Sequence, residues 1–207
     1  MLFFKFHHAF LLSFVLLFLV SCASTDKKIP APLTQKQITA AFIKSLTQKI
    51  NLNRNDEDAY FSRATLYYHQ QHYKKAKADY LKATQLNHLF VNAYGMLGWI
   101  LIKQGEFDKA EVYCRKAYNL DKFNSAWTLN LGHVAMLRGH TKTARKYYKR
   151  ALLLISDQAT FEAEVVADFD FFIKKGWKIN VMREQRSWMI ANFANKQQKN
   201  KLLSRRE

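Results

Sequence analysis

Cysteine, proline and glycine are all rare in this chain, at 2, 2 and 6 among 207 residues. Two cysteines cannot build a disulfide framework or a multi-cysteine metal site. So little proline and glycine leaves no room for many tight turns, so a mostly helical chain is expected. Glycine-rich phosphate loops and Gly-x-Ser-x-Gly elbows are missing, which removes two sequence marks of nucleotide and acyl-transfer chemistry. Acidic residues are also few, 16 against 33 basic ones, for a formal net charge of +17. Such an excess points to an anionic neighbour (phospholipid head groups, lipopolysaccharide phosphates, nucleic acid or an acidic protein) or to Lys-rich helix faces that are merely solvated. Apolar residues are plentiful: 49% of the chain is hydrophobic and 14% aromatic, which excludes a disordered polymer.

Ala9 to Val20 is an apolar run of 12 residues interrupted by Ser13 alone. That is too short to cross a bilayer as a helix, which takes about 20 residues. With Lys5 ahead of it and Ser21, Cys22, Ala23 and Ser24 behind it, the run has the layout of a secretory leader. Leu19-Val20-Ser21-Cys22 resembles the lipobox of bacterial lipoproteins. The resemblance implies a diacylglycerol thioether on Cys22, cleavage before it, and acylation of the freed amine; two or more chains anchor stably where one is marginal. Ordinary secretion with a cut after Ala23 is the alternative. In that family an Asp directly after the cysteine favours inner-membrane retention. Ala23 stands there, so the resemblance implies the periplasmic face of the outer membrane. Residues 1–21 are then a leader and 22–33, with Pro30 and Pro32, a tether.

The rest of the chain repeats itself. A shift of 34 residues aligns Ala76, Ala110 and Ala144; Ala83, Ala117 and Ala151; and Leu86, Leu120 and Leu154. It also aligns the small residues Ala64, Gly98 and Gly132, and the interior column Tyr80, Cys114 and Tyr148. Gln71, Gly105 and Gly139 mark a turn between two helical stretches in each unit. This pattern resembles the tetratricopeptide repeat, a helix-turn-helix of 34 residues. The resemblance implies an all-α solenoid, a right-handed superhelix of helix pairs, with units at 57–90, 91–124 and 125–158. Arg63 departs from the family pattern, which prefers Leu there, and the helix-ending Pro is replaced by His88, Lys122 and Ser156. Each unit alone leaves an apolar face bare, so both ends need capping. Residues 34–56 carry Ile38, Phe42, Ile43, Leu46 and Ile50 at helical spacing and serve as the N-terminal cap. Residues 159–195 read as a closing helix pair with Gly176 as a stop, and 196–207 as a frayed basic tail.

The resemblance further implies that the first helix of each repeat lines a concave groove. The residues so placed are Phe61, Ser62, Thr65, Tyr68 and His69; Asn92, Met96, Trp99, Ile102 and Lys103; and Leu129, Asn130, His133 and Met136. Some family members hold a peptide carboxylate with a Lys/Asn/Arg clamp. The matching positions here are Phe61, Thr65, Met96, Ala126 and Asn130, and only Asn130 fits, so no such clamp is expected. An aromatic, apolar groove suits an extended or helical peptide with hydrophobic anchors. Lys142, Arg145, Lys146, Lys149 and Arg150 fall on the second helix of the third repeat, hence on the convex face, where they meet anionic lipid or simply solvent.

No catalytic constellation is expected. His69, His72 and His88 fall at turns and helix ends rather than at metal-ligand spacing. Asp168 and Asp170, two apart on a helix, point in different directions. Cys114 falls in the core, where a thiol is inert. The sequence thus predicts a non-enzymatic adaptor without cofactor, metal or small-molecule substrate. It would be anchored to the bacterial envelope by lipid and dock a protein partner, for instance in pilus or secretion assembly or beside peptidoglycan enzymes. An export signal discounts an intracellular nucleic-acid partner. The alternative is a polyanion-binding protein that uses the basic convex face and tail.

Overall fold

The computed structural model describes residues 32–204. The leader, Cys22 and the tether up to residue 31 lie outside the described residues. Helices make up the body, with no strand among the described residues. In order they are α1 (Gln35–Leu52), α2 (Glu57–His69), α3 (Tyr73–Leu86), α4 (Val91–Gln104), α5 (Phe107–Leu120), α6 (Ser125–Leu137), α7 (Thr141–Leu154), α8 (Gln158–Phe161), a π-helical turn (Glu162–Val166), α9 (Ala167–Lys174) and α10 (Ile179–Leu203). The most extensive contacts join α2 with α3, α4 with α5 and α6 with α7; each pair then packs on the next, and α1 packs on α2 in the place of a second helix.

Local chemistry explains the 34-residue step. Asp56, Asn124 and Asp157 cap α2, α6 and α8 by accepting from the backbone N–H groups of Ala59, Trp127 and Thr160. Within each pair the small column meets the interior column. A Cβ on Gly98 would sit 2.4 Å from Cys114 Sγ, and one on Gly132 2.4 Å from Tyr148 Cε1. Only glycine lets these helices approach so closely under a side chain. Cys114 is fully buried, and burial pushes its thiol far above the ordinary range.

Every first helix ends in the same way. The N–H of Gln71, Gly105, Gly139 and Gly176 bonds three residues back, and that of the following residue five back, closing each helix in a Schellman-type turn. All four turn residues have positive φ, from 61° at Gln71 to 92° at Gly139. Gln71 alone carries a Cβ there. Gln71→Gly is expected to stabilise the protein by about 0.5–1 kcal/mol, the left-handed strain outweighing the extra chain entropy. Urea unfolding of the variant beside the parent checks this; a loss of stability would contradict it.

The recurrence at Gly176 shows that α8 to α10 form a fourth, stretched helix pair. The buried row Phe161, Val165, Phe169 and Phe172 keeps the four- and three-residue steps of a helical face across the π turn, with Asp168 at its edge. The long α10 runs beside α7 in the same direction, with Arg145 meeting Glu184 and Gln185, and Lys196 meeting the end of α7. The Lys196 ammonium donates to the carbonyls of Leu152, Leu153 and Ile155 at 2.7, 3.1 and 2.6 Å, capping the negative end of α7. The expected frayed tail beyond 195 is instead helical to Leu203, because Lys196 and Gln197 bind the turn that follows α7.

Candidate partner-binding groove

The first helices α2, α4, α6 and α9 line one side of the stack. On α2 and α4, Ser62, His69 and Asn92 are exposed, and Phe61, Thr65, Tyr68, Met96, Trp99 and Lys103 are partly buried. Thr65 is spent locally, its hydroxyl bonding Phe61 O and the Tyr80 hydroxyl, both at 3.0 Å. Phe61 lies against Tyr80 and Phe90, with ring centroids 5.4 and 4.9 Å away. The wall left open on the first two repeats is therefore Ser62, His69, Asn92 and the outer faces of Phe61 and Met96.

The third repeat differs from expectation. Leu129, Asn130, His133 and Met136, together with Ile102, do not line an open groove; they are buried at 1%, 5%, 0%, 0% and 0% exposure. The cause is the fourth helix pair. The ring of His133 packs against Phe169 and Phe172 of α9 at 5.4 and 4.9 Å, and the Trp99 ring reaches Phe171 and Phe172 at 6.1 and 6.0 Å. The chain's own aromatics thus occupy the concave side beyond α4. At the boundary, Trp99 Nε1 and Lys103 Nζ donate to the Tyr68 hydroxyl at 2.8 and 3.2 Å. Lys103 Nζ lies 5.0–5.7 Å from the ring centroids of Phe171, Tyr68, Trp99 and Tyr73, a cation held by aromatic faces.

Behind this seal runs a buried polar line. His133 Nδ1 is 3.1 Å from the Tyr148 hydroxyl and its Nε2 3.2 Å from Asp168 Oδ2. Burial pushes the Asp168 carboxyl above the usual Asp range, against the lowering pull of His133 and Lys103. Burial also pushes the Tyr148 phenol well up. His133 and Tyr148 are fully buried, whereas the Asp168 side chain at the end of the line is 19% exposed. Asp170 turns the other way, to Arg186 at 2.8 Å. An acid whose pKa is higher folded than unfolded favours the native state while protonated. Its contribution is complete below the ordinary value of 3.8 and is lost as pH rises through the raised one. Asp168→Asn keeps an oxygen for His133 and abolishes that loss. Compared with the parent, its stability is expected to fall less between about pH 4 and about pH 7; an unchanged difference in urea midpoints would contradict this.

The convex basic stripe is also partly covered. Arg145 bonds Glu184 at 2.7 Å and lies over the Trp188 ring, and Arg150 bonds Lys122 O at 3.2 Å and lies over Tyr118. Lys142, Lys146 and Lys149 remain exposed. His72 and His88 are exposed at turns, and no group of three metal-ligating side chains occurs among the described residues. Sequence reasoning missed the self-filled concave side because the residues that fill it follow the periodic region. The signal available was the density of Phe in 169–172.

The tetratricopeptide repeat family model matches residues 57–87 and 91–124. A curated relative, anaphase-promoting complex subunit 3 of Schizosaccharomyces pombe, is 27% identical over 112 residues; the match covers 54% of this chain but 17% of that protein. Among solved structures, one of MamA superposes with a TM-score of 0.58 at 16% identity, covering 79% of this chain and 95% of that one. Another MamA structure gives 0.52 at 23% identity, covering 60% and 66%. PilF of Pseudomonas aeruginosa gives 0.52 at 14% identity, covering 75% and 73%. The match over two repeats and the likeness to these structures give the described body the fold of a tetratricopeptide-repeat α-solenoid.

Proposed function

We propose that the protein is a non-enzymatic adaptor of the bacterial envelope, tethered through lipid on Cys22 at the periplasmic face of the outer membrane. It captures a segment of a protein partner on the open wall of its first two repeats. The observation that carries the capture is the contrast within one solenoid: α6 is sealed by α9, whereas Ser62 and Asn92 with the edges of Phe61 and Met96 stay accessible. That strip is short, so it suits a peptide of a few residues with one apolar anchor rather than a long helix. The partner belongs to an assembly held near the membrane, such as a pilus or secretion machine or a set of peptidoglycan enzymes.

A photo-crosslinking residue at 62 or 92 is expected to capture the same partner in cells, with little capture from Lys142 on the convex face. Equal capture from all three positions would place the contact elsewhere. The anchor is tested separately. Fatty-acid label fed to the cells should enter the protein and be lost with Cys22→Ser; an unlabelled parent would sink the lipoprotein reading and leave the groove untouched.

A further inference from the structure

We propose that one edge of the solenoid, formed by its inter-repeat loops and the end of α10, seats on an anionic lipid bilayer. The inference deepens the membrane-tethered reading and rests on it for its setting, while its surface lies apart from the groove and meets the convex stripe only at Lys149.

Each second helix runs towards this edge and each following first helix runs away from it, so all inter-repeat loops lie along it. The described residues include eleven exposed large apolar side chains, and six are here: Leu52, Leu89, Phe123, Leu153, Leu202 and Leu203, at 90%, 70%, 81%, 76%, 54% and 51% exposure. Leu89 and Phe123 are one repeat apart in sequence and are held alike. Asn87 Oδ1 accepts from Leu89 N at 2.9 Å, and Asp121 Oδ1 accepts from Phe123 N at 3.0 Å, fixing each side chain at the tip of its loop. Neither side chain fills a gap in the fold, so their apolar character has no structural use there.

The end of α10 joins the same edge. Lys196 is bonded at the end of α7, and α10 continues seven residues past it to Leu203, about 10 Å of helix. That projecting end carries Lys199 and Lys201 beside the two exposed leucines, and Arg205 and Arg206 follow in sequence. Arg54, Lys122 and Lys149 stand exposed beside the loop tips. Of the acids along the edge, Asp56, Asp121 and Asp157 are engaged as caps or turn acceptors and Glu57 accepts from Asn87, which leaves Asp58 as an exposed acid among the cations there.

Charge and spacing select the occupant. The exposed cations match anionic head groups, and the net +17 adds long-range attraction. Leu52, Leu89, Phe123 and Leu153 stand singly, one per corner, with Leu202 and Leu203 together at the end of α10, instead of forming the contiguous patch that a folded partner would cover. A fluid interface accepts separated wedges, with lysines extending to the head groups around them.

The test uses the full chain carrying Cys22→Ser, with one environment-sensitive label at Phe123→Cys, Leu89→Cys or, as control, Val112→Cys on the side of α5. Cys114 is buried and stays unlabelled. With vesicles containing phosphatidylglycerol and nitroxide-bearing lipid, labels at 123 and 89 should be quenched at least about twofold more than at 112, less so in high salt. The proposal is overturned if the chain sediments with vesicles while 123 and 112 are equally quenched, which leaves the tether reading intact. Failure to sediment also overturns it. So does a concentration-dependent shift at 123 without vesicles, which would assign the edge to a second copy of the chain.

Discussion

Arg63→Leu is expected to destabilise the protein by about 3 kcal/mol, although Leu is the residue at the matching positions 97 and 131. Arg63 Nε and Nη2 donate to the two oxygens of Asp79 at 2.7 and 2.8 Å, and Nη1 donates to Thr47 Oγ1 at 3.0 Å. The side chains of the pair are 16% and 10% exposed. One guanidinium therefore joins α1, α2 and α3. Removing it leaves a buried carboxylate without its counter-charge, and that orphan, not the lost attraction, dominates the cost. The second and third repeats solve the same position without charge, pairing Leu97 with Tyr113 and Leu131 with Tyr147 at the columns of 63 and 79. Arg63→Leu/Asp79→Tyr should thus recover most of the loss, to within about 1 kcal/mol of the parent, with a strongly non-additive double-mutant cycle. Hydrogen exchange in α1 should still quicken in the double variant, because the bond to Thr47 is gone. A single-variant loss under about 1 kcal/mol would mean that water already serves Asp79.

The repeated part of the fold was legible because one packing solution recurs: Gly98 under Cys114 and Gly132 under Tyr148 are visible as columns before any coordinates exist. Turn residues were legible for the same reason, Gly105 and Gly139 needing left-handed backbone. The candidate groove was legible only in its first half. Reading Leu129, Asn130, His133 and Met136 as exposed assumed that the concave side continues past the last clear repeat. The apolar face of the closing helix, Phe161, Val165, Phe169 and Phe172, follows ordinary helical spacing and is legible; what the sequence does not give is that this face packs onto His133 and Trp99 and covers that side. Long-range polar partners were hidden too. Nothing local to Lys196 announces that it caps a helix ending more than 40 positions earlier, and nothing local to His133 announces Asp168. Arg63 departs visibly from the repeat pattern, but its partner Asp79 lies on another helix.

Phe172→Ala is expected to cost about 3–5 kcal/mol and to split the unfolding of the solenoid in two. Phe172 is fully buried, with its ring 4.9 Å from His133, 6.0 Å from Trp99 and stacked on Trp177 at 6.2 Å. Its contacts reach back over two repeats, so truncation leaves a cavity between α4, α6 and α9 that a nearest-neighbour stack cannot close by small shifts. The first repeats depend little on it: their own core of Ala64, Ala76, Tyr80, Ala83, Leu97 and Ile100 lies apart. The fourth pair should then detach at low urea, giving an early transition in Trp fluorescence through Trp177 and Trp188, followed by a later loss of helix from the remaining repeats. Between the two transitions, His133 and Trp99 become accessible to solvent, and the concave wall of the third repeat opens. Ile190→Ala, at a site 38% exposed on α10, should change stability by less than about 1 kcal/mol and serves as the control. A single cooperative transition for Phe172→Ala with a loss near that of the control would show that the closing pair does not seal the groove, and Asn130 and His133 would return as candidate contact residues.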